Sequence, residues 1–500
     1  MMYRFESSFY ICLLIVLAGF GCDQSLKVTE QPVCPALMNG EEPVILQDHA
    51  SIETMDDVEA LKDVSHVAGD LVITTDFSGN IDLPNLCGVN GDLRIEKNPD
   101  LSHMTIPSLG YVDGDVYVYE NDRLRKFSAP QLIEVGGSFY ITDNPKLTAL
   151  HIQSVQKIAG DMWLNALDDL DVIYLPVLAE VGLTFRVASN DELYDLNVSA
   201  LHTIGGGVRV LRNDDLPRLV LPALETIVGA LRVQDNNRLQ TILVGGENME
   251  VGSVDISQNE RLVILELANF VHGSSISISY NDALLSIDLP DLEEVDAGLF
   301  INGNNDLQIF NAPKLRHLTG QLNMNWNTVL AVVEFPSLEE VEGRLAFQSA
   351  QGTEFRFPEL TQVESMFFGY LDANVLMDFP KLERIEGDLS VHQCHEFETL
   401  SLPNLLYAGQ LQIQYNDGLK NFSFPKLETL GAGLNVARND SLTDFHLDAL
   451  VDAGDYVRFY KNFDLATCRI NEFVDGLVEL GFPEGEAYIE GNDDNASCDE

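Results

Sequence analysis

The chain has 500 residues, of which 45% are hydrophobic, so it can bury a large continuous core and is not an intrinsically disordered protein. It carries 79 Asp and Glu against 29 Lys and Arg, a formal net charge of -50. A field of this sign repels phosphate backbones and anionic lipid surfaces, and we therefore exclude nucleic acid as a partner.

Residues 1–21 have the features of a secretory signal peptide. The largely apolar run from Phe9 to Phe20 is too short to cross a bilayer as a helix but has the length of a signal-peptide core. A small residue, Gly21, directly before Cys22 is typical of a bacterial lipoprotein signal, and an ordinary cleaved secretory signal is the alternative. We predict an exported protein of the cell envelope or cell surface, attached to the outer membrane only through a lipid on Cys22.

A linker over residues 22–43 and an N-terminal cap over residues 44–68 are predicted to follow. Within the stretch SIETMDDVEALKDVSHVAG, Val58, Leu61 and Val64 stand at helical spacing after a Thr and Asp start. An amphipathic helix here would cover the first coil of the repeats that follow, whose core and strand edges would otherwise face solvent.

Residues 69–462 repeat one pattern 18 times, at intervals of 22 or 23 residues. We call the residue that opens each repeat, most often glycine, the anchor; apolar residues stand two and four places after it, as Leu231 and Val233 do after Gly229. Such alternation is typical of a half-buried strand, and the fixed interval predicts a solenoid whose strands stack roughly 4.8 Å apart. The anchors are Gly69, Gly91, Gly114, Gly137, Gly160, Leu183, Gly206, Gly229, Gly252, Ser274, Ala297, Gly320, Gly343, Ser365, Gly387, Gly409, Ala432 and Gly454.

Two further positions recur in each repeat. Asparagine dominates seven places after the anchor, where its amide can donate and accept along the stack and satisfy backbone groups at a corner. A Leu-Pro-x-Leu segment follows, in which proline can open a short second strand. Each coil is therefore predicted to hold two or three short strands and no long helix. The asparagine is replaced at Asp76, Leu167, Ala350, Asp372, Cys394 and Lys461, and the neighbouring changes at Ala350 and Asp372 predict a distorted patch.

The replacement at Cys394 lies in the segment HQCHE, which raises the possibility of a metal site formed by His392, Cys394 and His395. If Cys394 points inward like the asparagines, His392 two places earlier belongs to the outward face or its edge. We therefore predict that Cys394 is a buried structural thiol and that the chain has no metal site.

An outward position, three places after the anchor, carries arginines and aromatic residues through seven consecutive repeats. Both types are enriched at binding hot spots, and aromatic faces also stack on sugar rings. We predict a ligand-binding column on the exposed sheet face. The alternative is that these side chains only stabilise the stack and offset Asp92, Asp115 and Asp161. The column comprises Arg94, Tyr117, Tyr140, Trp163, Arg186, Arg209 and Arg232.

The sequence lacks the catalytic motifs of serine hydrolases, zinc proteases and nucleotide-binding enzymes, and we predict a protein that is not an enzyme and uses no cofactor. A β-helical carbohydrate-active enzyme and a purely structural envelope spacer are the alternatives. Acidic turn tips such as NDD could collect Ca²⁺ weakly, but the calcium-binding nonapeptide of β-helices is absent.

Residues 463–500 are predicted to form a C-terminal cap, with a helix over CRINEFVDGLVELG and a last strand in EAYIEGN. Cys468 and Cys498 both lie beyond the repeats, and since export permits disulfides we predict that they pair. Cys34 and Cys87 are predicted to pair in the same way near the front of the array.

The segment MDDVEALKDVSHVAGDLVI, followed by the pattern GxLxIxxNxxLxxLxLPxLxxV, resembles the receptor L-domain repeat. That repeat occurs in the ligand-binding halves of insulin- and epidermal-growth-factor-type receptors, and in fungal cell-wall and bacterial surface proteins. The resemblance covers about residues 44–465. It implies a right-handed, leucine-rich parallel β-solenoid with short capping helices at both ends, used as a surface scaffold that binds a protein or a glycan. The array is much longer than a receptor L-domain, so a signalling role is not implied.

Overall fold

The computed structural model describes residues 42–246, 249–349, 353–371, 375–496 and residue 498. The described chain is a parallel β-solenoid of about 18 coils, composed almost entirely of sheet. Strand partners lie one repeat apart: Val116 pairs with Leu93 before it and with Phe139 after it. The predicted solenoid is confirmed, and equivalent side chains do form columns. The predicted signal peptide, Cys22 and Cys34 lie outside the described residues.

One face of the solenoid is the main sheet, which has 29 strands among the described residues. In the early coils, and again near residue 320, each coil gives it two short strands, one before and one after the anchor. The strands before the anchor are Ile45–Leu46, His66–Val67, Gly88–Val89, Tyr111–Val112, Glu134–Val135, Lys157–Ile158, Glu180–Val181, Thr203–Ile204 and His317–Leu318. Those after it are Ala50–Ile52, Leu71–Ile73, Leu93–Glu96, Val116–Tyr119, Phe139–Thr142, Met162–Asn165, Phe185–Ala188, Val208–Leu211 and Gln321–Asn323.

In most later coils the two short strands are merged into one strand of 8 or 9 residues. Several of these strands shift register beside the anchor, for example between Ile227 and Ala230. The merged strands are Thr226–Gln234, Glu250–Ser257, His272–Ser279, Glu294–Asn302, Glu340–Gln348, Gln362–Gly369, Arg384–His392, Tyr407–Gln414 and Thr429–Ala437, and Tyr456–Tyr460 and Ala487–Glu490 complete the sheet.

A second face is built from the short strands that surround the Leu-Pro-x-Leu segments, and in the described residues it is divided into stacks of 4, 2, 8 and 3 strands. The first two stacks contain Gly79–Asp82, Leu101–Thr105, Lys126–Ser128 and Ala149–His151, then Val172–Tyr174 and Asp195–Asn197. The third contains Arg218–Leu221, Thr241–Val244, Ile264–Leu267, Ser286–Asp288, Ile309–Asn311, Val332–Glu334, Glu354–Arg356 and Leu376–Asp378, and the last contains Thr399–Ser401, Asn421–Ser423 and Asp444–His446.

The core between the two faces changes composition where the repeat loses its leucines. Ala350 and Asp372, at the centre of the predicted distorted patch, lie outside the described residues. Around them, phenylalanines fill the core: the ring centroids of Phe347 and Phe355 are 4.4 Å apart, and those of Phe357 and Phe379 are 5.0 Å apart. Larger rings thus replace leucine in these coils, and the flanking strands remain paired in parallel.

The repeated asparagines form a buried ladder along one corner. The Asn121 side-chain amide donates to the Ile95 carbonyl of the preceding coil at 3.0 Å and to Asn144 Oδ1 of the next coil at 3.0 Å. Each amide therefore links three coils and satisfies backbone groups that the corner would leave unpaired. The ladder is interrupted at Leu167, as predicted. The sequence also predicted an interruption at Lys461, and this prediction was wrong. Asn462 continues it to Asn492 at 3.1 Å, because this coil is one residue longer before the corner.

The residue directly before each ladder position adopts the left-handed conformation, as in Lys97 with φ 57 and Arg212 with φ 53. Its N–H then points along the stack: Lys97 N donates to the Tyr119 carbonyl of the next coil at 3.1 Å. This conformation costs a residue with a Cβ about 1–2 kcal/mol. Glycine avoids that cost in one coil, where Gly303 has φ 64. We call the position directly before each ladder residue the corner.

The front of the solenoid is closed by helix α1, Met55–Leu61. Thr54 and Asp57 form a capping box at its start, and Val58 is buried beneath it. The strands at residues 45–46 and 50–52 pair in register with those of the next coil. The predicted cap is therefore itself a coil, in which α1 takes the place of the second-face strand.

The rear end is closed by helix α2, Thr467–Glu479, which buries Ile470, Val474 and Leu477. A 3₁₀ turn, Glu484–Glu486, leads into the last strand, which pairs with Tyr456–Tyr460. Cys468, in the first turn of α2, forms a disulfide with Cys498. Near the front, Cys87 is disulfide-bonded, and its predicted partner Cys34 is not among the described residues.

Candidate functional site

The predicted binding column is a continuous row across the main sheet. Each residue pairs in register with the next, from Arg94 opposite Tyr117 to Arg209 opposite Arg232. Because the apolar neighbours on either side point into the core, all seven side chains share the outward face. We call this row the arginine–aromatic column. Its members are Arg94, Tyr117, Tyr140, Trp163, Arg186, Arg209 and Arg232.

Beside this column runs a ladder of acidic side chains whose role the sequence reasoning missed. Asp92 Oδ1 accepts the backbone N–H of Asp115 at 2.9 Å, and Asp115 Oδ1 accepts that of Ser138 at 2.6 Å. We call Asp70, Asp92, Asp115, Ser138 and Asp161 the aspartate ladder. Each carboxylate replaces a backbone carbonyl as acceptor just after the anchor. The available signal was the repeated Gly-Asp pair that opens four early repeats.

The first members of the column are tied to the aspartate ladder. The Arg94 guanidinium lies 2.7 Å from an Asp92 carboxylate oxygen, and the hydrogen bond raises the Arg94 pKa. The Tyr117 hydroxyl donates to Asp115 at 2.8 Å. Burial, followed by that hydrogen bond, raises the pKa of Tyr117 to about 12. The Arg94 guanidinium offsets the Asp92 charge, and the neutral Tyr117 hydroxyl donates to Asp115, contacts of the kind that the structural alternative expects.

The aromatic rings in the middle of the column cover one another. The Tyr117 and Tyr140 rings are stacked with centroids 5.2 Å apart, and the Tyr140 and Trp163 rings meet edge to face, also at 5.2 Å. An open groove of about 580 Å³ runs alongside the rings, lined in part by Tyr119 and Asn165. A ligand here would meet ring edges and polar side chains more than free ring faces.

The other end of the column is basic, and its first two arginines lack acidic partners among the described residues. The aspartate ladder ends when Asp161 Oδ1 accepts the Thr184 N–H at 2.8 Å. Beyond it, neither Arg186 nor Arg209 has a carboxylate within 4.0 Å in the described part of the chain. The two are opposite each other in paired strands, and we call them the basic pair. Arg232, next in the column, approaches Asp255 at 3.4 Å.

Several polar atoms around the basic pair are buried without a hydrogen bond. Among the described residues these include Arg186 Nε, Trp163 Nε1 and Asn165 Oδ1. The Arg186 guanidinium lies over the Trp163 ring, 5.5 Å from its centroid. Burial lowers the pKa of Arg186, and the charges of Arg209 and Arg212 lower it further. Adjacent like charges are unfavourable, and an anionic group bound beside the two guanidinium groups would relieve their repulsion.

The side chains of the segment HQCHE are not brought together as a metal site. Cys394 is buried in the asparagine column, where its N–H donates to Asn416 Oδ1 at 3.0 Å. His395 is exposed and faces Asp417 at 3.1 Å, and His392 is on the outward strand face. Within the described ranges, no group of three or more His, Cys, Asp or Glu residues is placed to hold a metal ion.

No family model matches the sequence. A cell surface GPI-anchored protein of Arthroderma benhamiae is 36% identical over 90 residues, which cover 18% of this chain and 22% of that protein. The matched segment thus spans well under two thirds of the relative.

Two leucine-rich receptor structures align with the chain at low similarity. The plant peptide hormone receptor RGFR1, solved in complex with RGF2, has 12% identity, covers 88% of this chain and 89% of its own, and gives a TM-score of 0.20. TLR13, from its complex with ssRNA13, has 13% identity, coverage of 88% and 93%, and a TM-score of 0.15. At these TM-scores the backbones do not superimpose, and neither alignment carries an inference about fold or function. Neither of the two α-helices among the described residues is long and apolar enough to cross a membrane.

Proposed function

We propose that this chain is a non-enzymatic surface protein whose main sheet binds a protein or glycan ligand through a negatively charged group of that ligand. The observation that supports the proposal is the basic pair. In a chain with a net charge of -50, Arg186 and Arg209 face outward side by side, without a carboxylate partner in the described residues. Arg94, at the other end of the same column, is instead paired with Asp92.

The chemistry of the basic pair suits a carboxylate or sulfate group. The backbones of neighbouring strands are roughly 4.8 Å apart, so one anion can accept hydrogen bonds from the guanidinium groups of both arginines. The planar donors of arginine favour such bidentate contacts. At the other end of the column, Tyr117 and Tyr140 contribute ring edges and hydroxyl groups along the same row. These contacts would orient an extended ligand.

Export and attachment to a cell surface belong to the same proposal. The signal-like residues 1–21 and Cys22 support export and lipid anchoring. The partial similarity to a cell surface protein of Arthroderma benhamiae supports a surface location. A protein that projects from a surface needs a rigid, repetitive body, and a solenoid with one continuous core provides it.

Binding assays with charged and uncharged polymers test the proposal. The chain is applied to immobilised polygalacturonate, dextran sulfate, poly-glutamate and uncharged dextran, with the double variant Arg186→Gln/Arg209→Gln in parallel. We expect retention on at least one anionic polymer and a loss of about tenfold in affinity for the double variant. Poly-glutamate separates a protein-type ligand from a glycan.

The matched control is Arg238→Gln, since Arg238 is an exposed arginine paired with Asp215 at 2.9 Å away from the column. It should bind as the unsubstituted chain does. Equal binding by the double variant would refute the role of the basic pair. Release of shortened products from any polymer would refute the non-enzymatic part of the proposal.

A further inference from the structure

The corner position carries a second set of aromatic side chains that the arginine–aromatic column does not include. In the early coils the corner holds small or charged residues, such as Glu120, Asp143 and Ser189. In later coils it holds large aromatic residues that alternate with Gly303, Ser349 and Gln393. We call Tyr280, Trp326, Tyr370 and Tyr415 the corner aromatics.

The corner aromatics stand at a regular spacing. Tyr280 N donates to the Asn302 carbonyl, and Gly303 N donates to the Asn325 carbonyl. The corner therefore moves by one strand of the stack with each repeat. Successive corner aromatics are therefore two strands, or about 9.6 Å, apart. All four are about half exposed, with 53%, 46%, 48% and 43% of their surface accessible in chain order. They form a row of rings along one edge of the main sheet.

Stability does not account for large rings at these positions. Tyr280 has φ 58 and Trp326 has φ 57, a conformation that is unfavourable for any residue with a Cβ and rare for bulky ones. Because about half of each ring remains exposed, burial compensates for little of this strain. Gly303 shows that the same backbone accepts a residue without a side chain. The Tyr415 ring also lies 5.3 Å from the Arg438 guanidinium. The exposed part of each ring is open to a contact outside the chain.

The first two corner aromatics border a groove of about 950 Å³ on the outward face. Its lining includes Ser257, Ser277 and Ser279, which are short enough to leave a depression, and the carboxylates of Asp255 and Asp282. The Tyr280 ring lies against the next coil: a Cβ on residue 303 would stand 2.8 Å from its Cδ1 and Cε1 atoms. Glycine at 303 therefore lets the Tyr280 ring lie along the row.

We infer that the corner aromatics bind an extended, uncharged β-1,4-linked hexose polysaccharide. Aromatic rings stack on the apolar faces of sugar rings. In such a polymer every second sugar presents the same face, so its repeat is a disaccharide, which matches a ring at every second strand. Sugar hydroxyls both donate and accept, and they can pair with the serines and carboxylates of the groove. The same carboxylates repel anionic polymers, so this ligand differs from that of the basic pair.

A proline-rich peptide is the competing occupant. A polyproline helix repeats about every 9.3 Å, and such helices dock on aromatic grooves. The carboxylates of Asp255, Glu260 and Asp282, however, can only accept hydrogen bonds. Consecutive prolines have no N–H to donate. A glycan offers a donor at each hydroxyl, and the groove's polar atoms therefore favour the glycan.

The test is calorimetric titration of the 500-residue chain with β-1,4-linked oligosaccharides of glucose and of N-acetylglucosamine. Affinity should rise from the disaccharide to the hexasaccharide, since sugars one, three and five of a hexasaccharide can stack on three of the four rings. Excess polygalacturonate should not displace the hexasaccharide, because the basic pair lies on other coils. Absence of binding by both hexasaccharides would overturn the inference. Binding only of an oligoproline peptide or of polygalacturonate would overturn it as well.

Substitutions locate the binding. Trp326→Ala and Tyr280→Ala should each weaken hexasaccharide binding by about tenfold. Tyr280→Phe should bind within about twofold of the unsubstituted chain, which separates loss of the ring from loss of folding. Tyr194→Ala is the matched control, since Tyr194 is 61% exposed but lies outside the corner row. Equal loss in the control, or no loss in Trp326→Ala and Tyr280→Ala, would contradict the assignment to the corner.

Discussion

The early and late coils of the main sheet share one backbone plan but use side chains differently just after the anchor. In the early coils Asp92 and Asp115 accept backbone N–H groups of the next coil, and the strands stop at the anchor and restart after it. In most late coils residues such as Ser253 and Ser275 stand there, and the strand continues through the anchor with a register shift. The carboxylates are not required for the split, because the coils with Thr184 and Gly207 at this place also have two short strands, and Asp388 lies within a merged strand.

The two regions also differ in where they expose aromatic residues. The early coils keep them in the arginine–aromatic column, three places after the anchor, where Tyr117 and Tyr140 stack on each other. The late coils place them at the corner, where Tyr280 and Trp326 border a groove. The same fold therefore presents a basic pair in the early coils and an aromatic edge beside carboxylates in the late ones. The repeat fixes where each column lies, and the residue types at that position in each coil decide what the column can contact.

The asparagine ladder is common to both regions, and breaking it should have the largest effect on stability. Asn213→Ala in the early coils removes donors to the Val187 carbonyl at 3.1 Å and to Asn236 Oδ1 at 3.2 Å. Asn439→Ala in the late coils removes equivalent bonds. We expect each to lower the free energy of unfolding by about 3 kcal/mol, since a buried corner loses its partners. Urea denaturation followed by circular dichroism measures this, and clearly unequal losses would show that the ladder differs between the regions.

The aspartate ladder belongs to the early coils alone, so substitution there should separate the regions. Asp115→Ala removes the acceptor of the Ser138 N–H at 2.6 Å and of the Tyr117 hydroxyl at 2.8 Å. We expect a loss of about 1.5 kcal/mol in urea denaturation. Ser253→Ala, at the equivalent place in a late coil, should change stability by less than about 0.5 kcal/mol. Similar effects of the two substitutions would contradict the proposed role of the carboxylates.

The corner conformation provides a smaller test. Gly303→Ala forces a Cβ into the left-handed region and against the Tyr280 ring, and we expect a loss of about 1 kcal/mol. Ala166, with φ 51, occupies the same position in an early coil. Ala166→Gly should leave stability unchanged or raise it slightly, because relief of strain is offset by the greater freedom of glycine in the unfolded chain. Thermal denaturation of both variants is the measurement.

The smallest effect is a change in titration. The pKa of Tyr117 is raised to about 12 from an ordinary value of 10.0, so its phenol is stabilised as the neutral form in the folded protein. Its contribution to stability is fully present below about pH 10 and is lost as the pH rises towards 12. Ultraviolet absorbance should show a late-ionising tyrosine that is missing in Tyr117→Phe. An unchanged titration curve in this variant would show that the hydroxyl is not held by burial and Asp115.

The sequence was sufficient for the fold because the repeat places the same side chain at the same point of every coil. Leu231 and Val233 needed only the two-residue alternation of a strand to be assigned to the core. The order of the arginine–aromatic column followed from the interval alone. The position of the last ladder asparagine did not: Asn462 is displaced by one residue from the interval, and only the paired strands reveal it.

The sites were less predictable because they depend on which polar groups meet. The Gly-Asp pairs were visible, but the hydrogen bond from the next coil to Asp92 depends on the backbone geometry beside the anchor. For the same reason the sequence could not show that Arg94 is paired while Arg186 is not. The corner aromatics are hard to recognise in the sequence because they recur only at every second repeat. Residues of other types, such as Gly303 and Ser349, stand between them.

The stability of Arg209→Gln, measured together with its binding, tests the central claim most directly. If Arg186 and Arg209 are retained to bind an anion, removing one guanidinium relieves their repulsion. Urea denaturation should then give an equal or higher free energy of unfolding for the ligand-free variant, while its affinity for the anionic polymer falls. A lower free energy of unfolding with unchanged affinity would show that the arginines stabilise the stack and that the binding surface lies elsewhere.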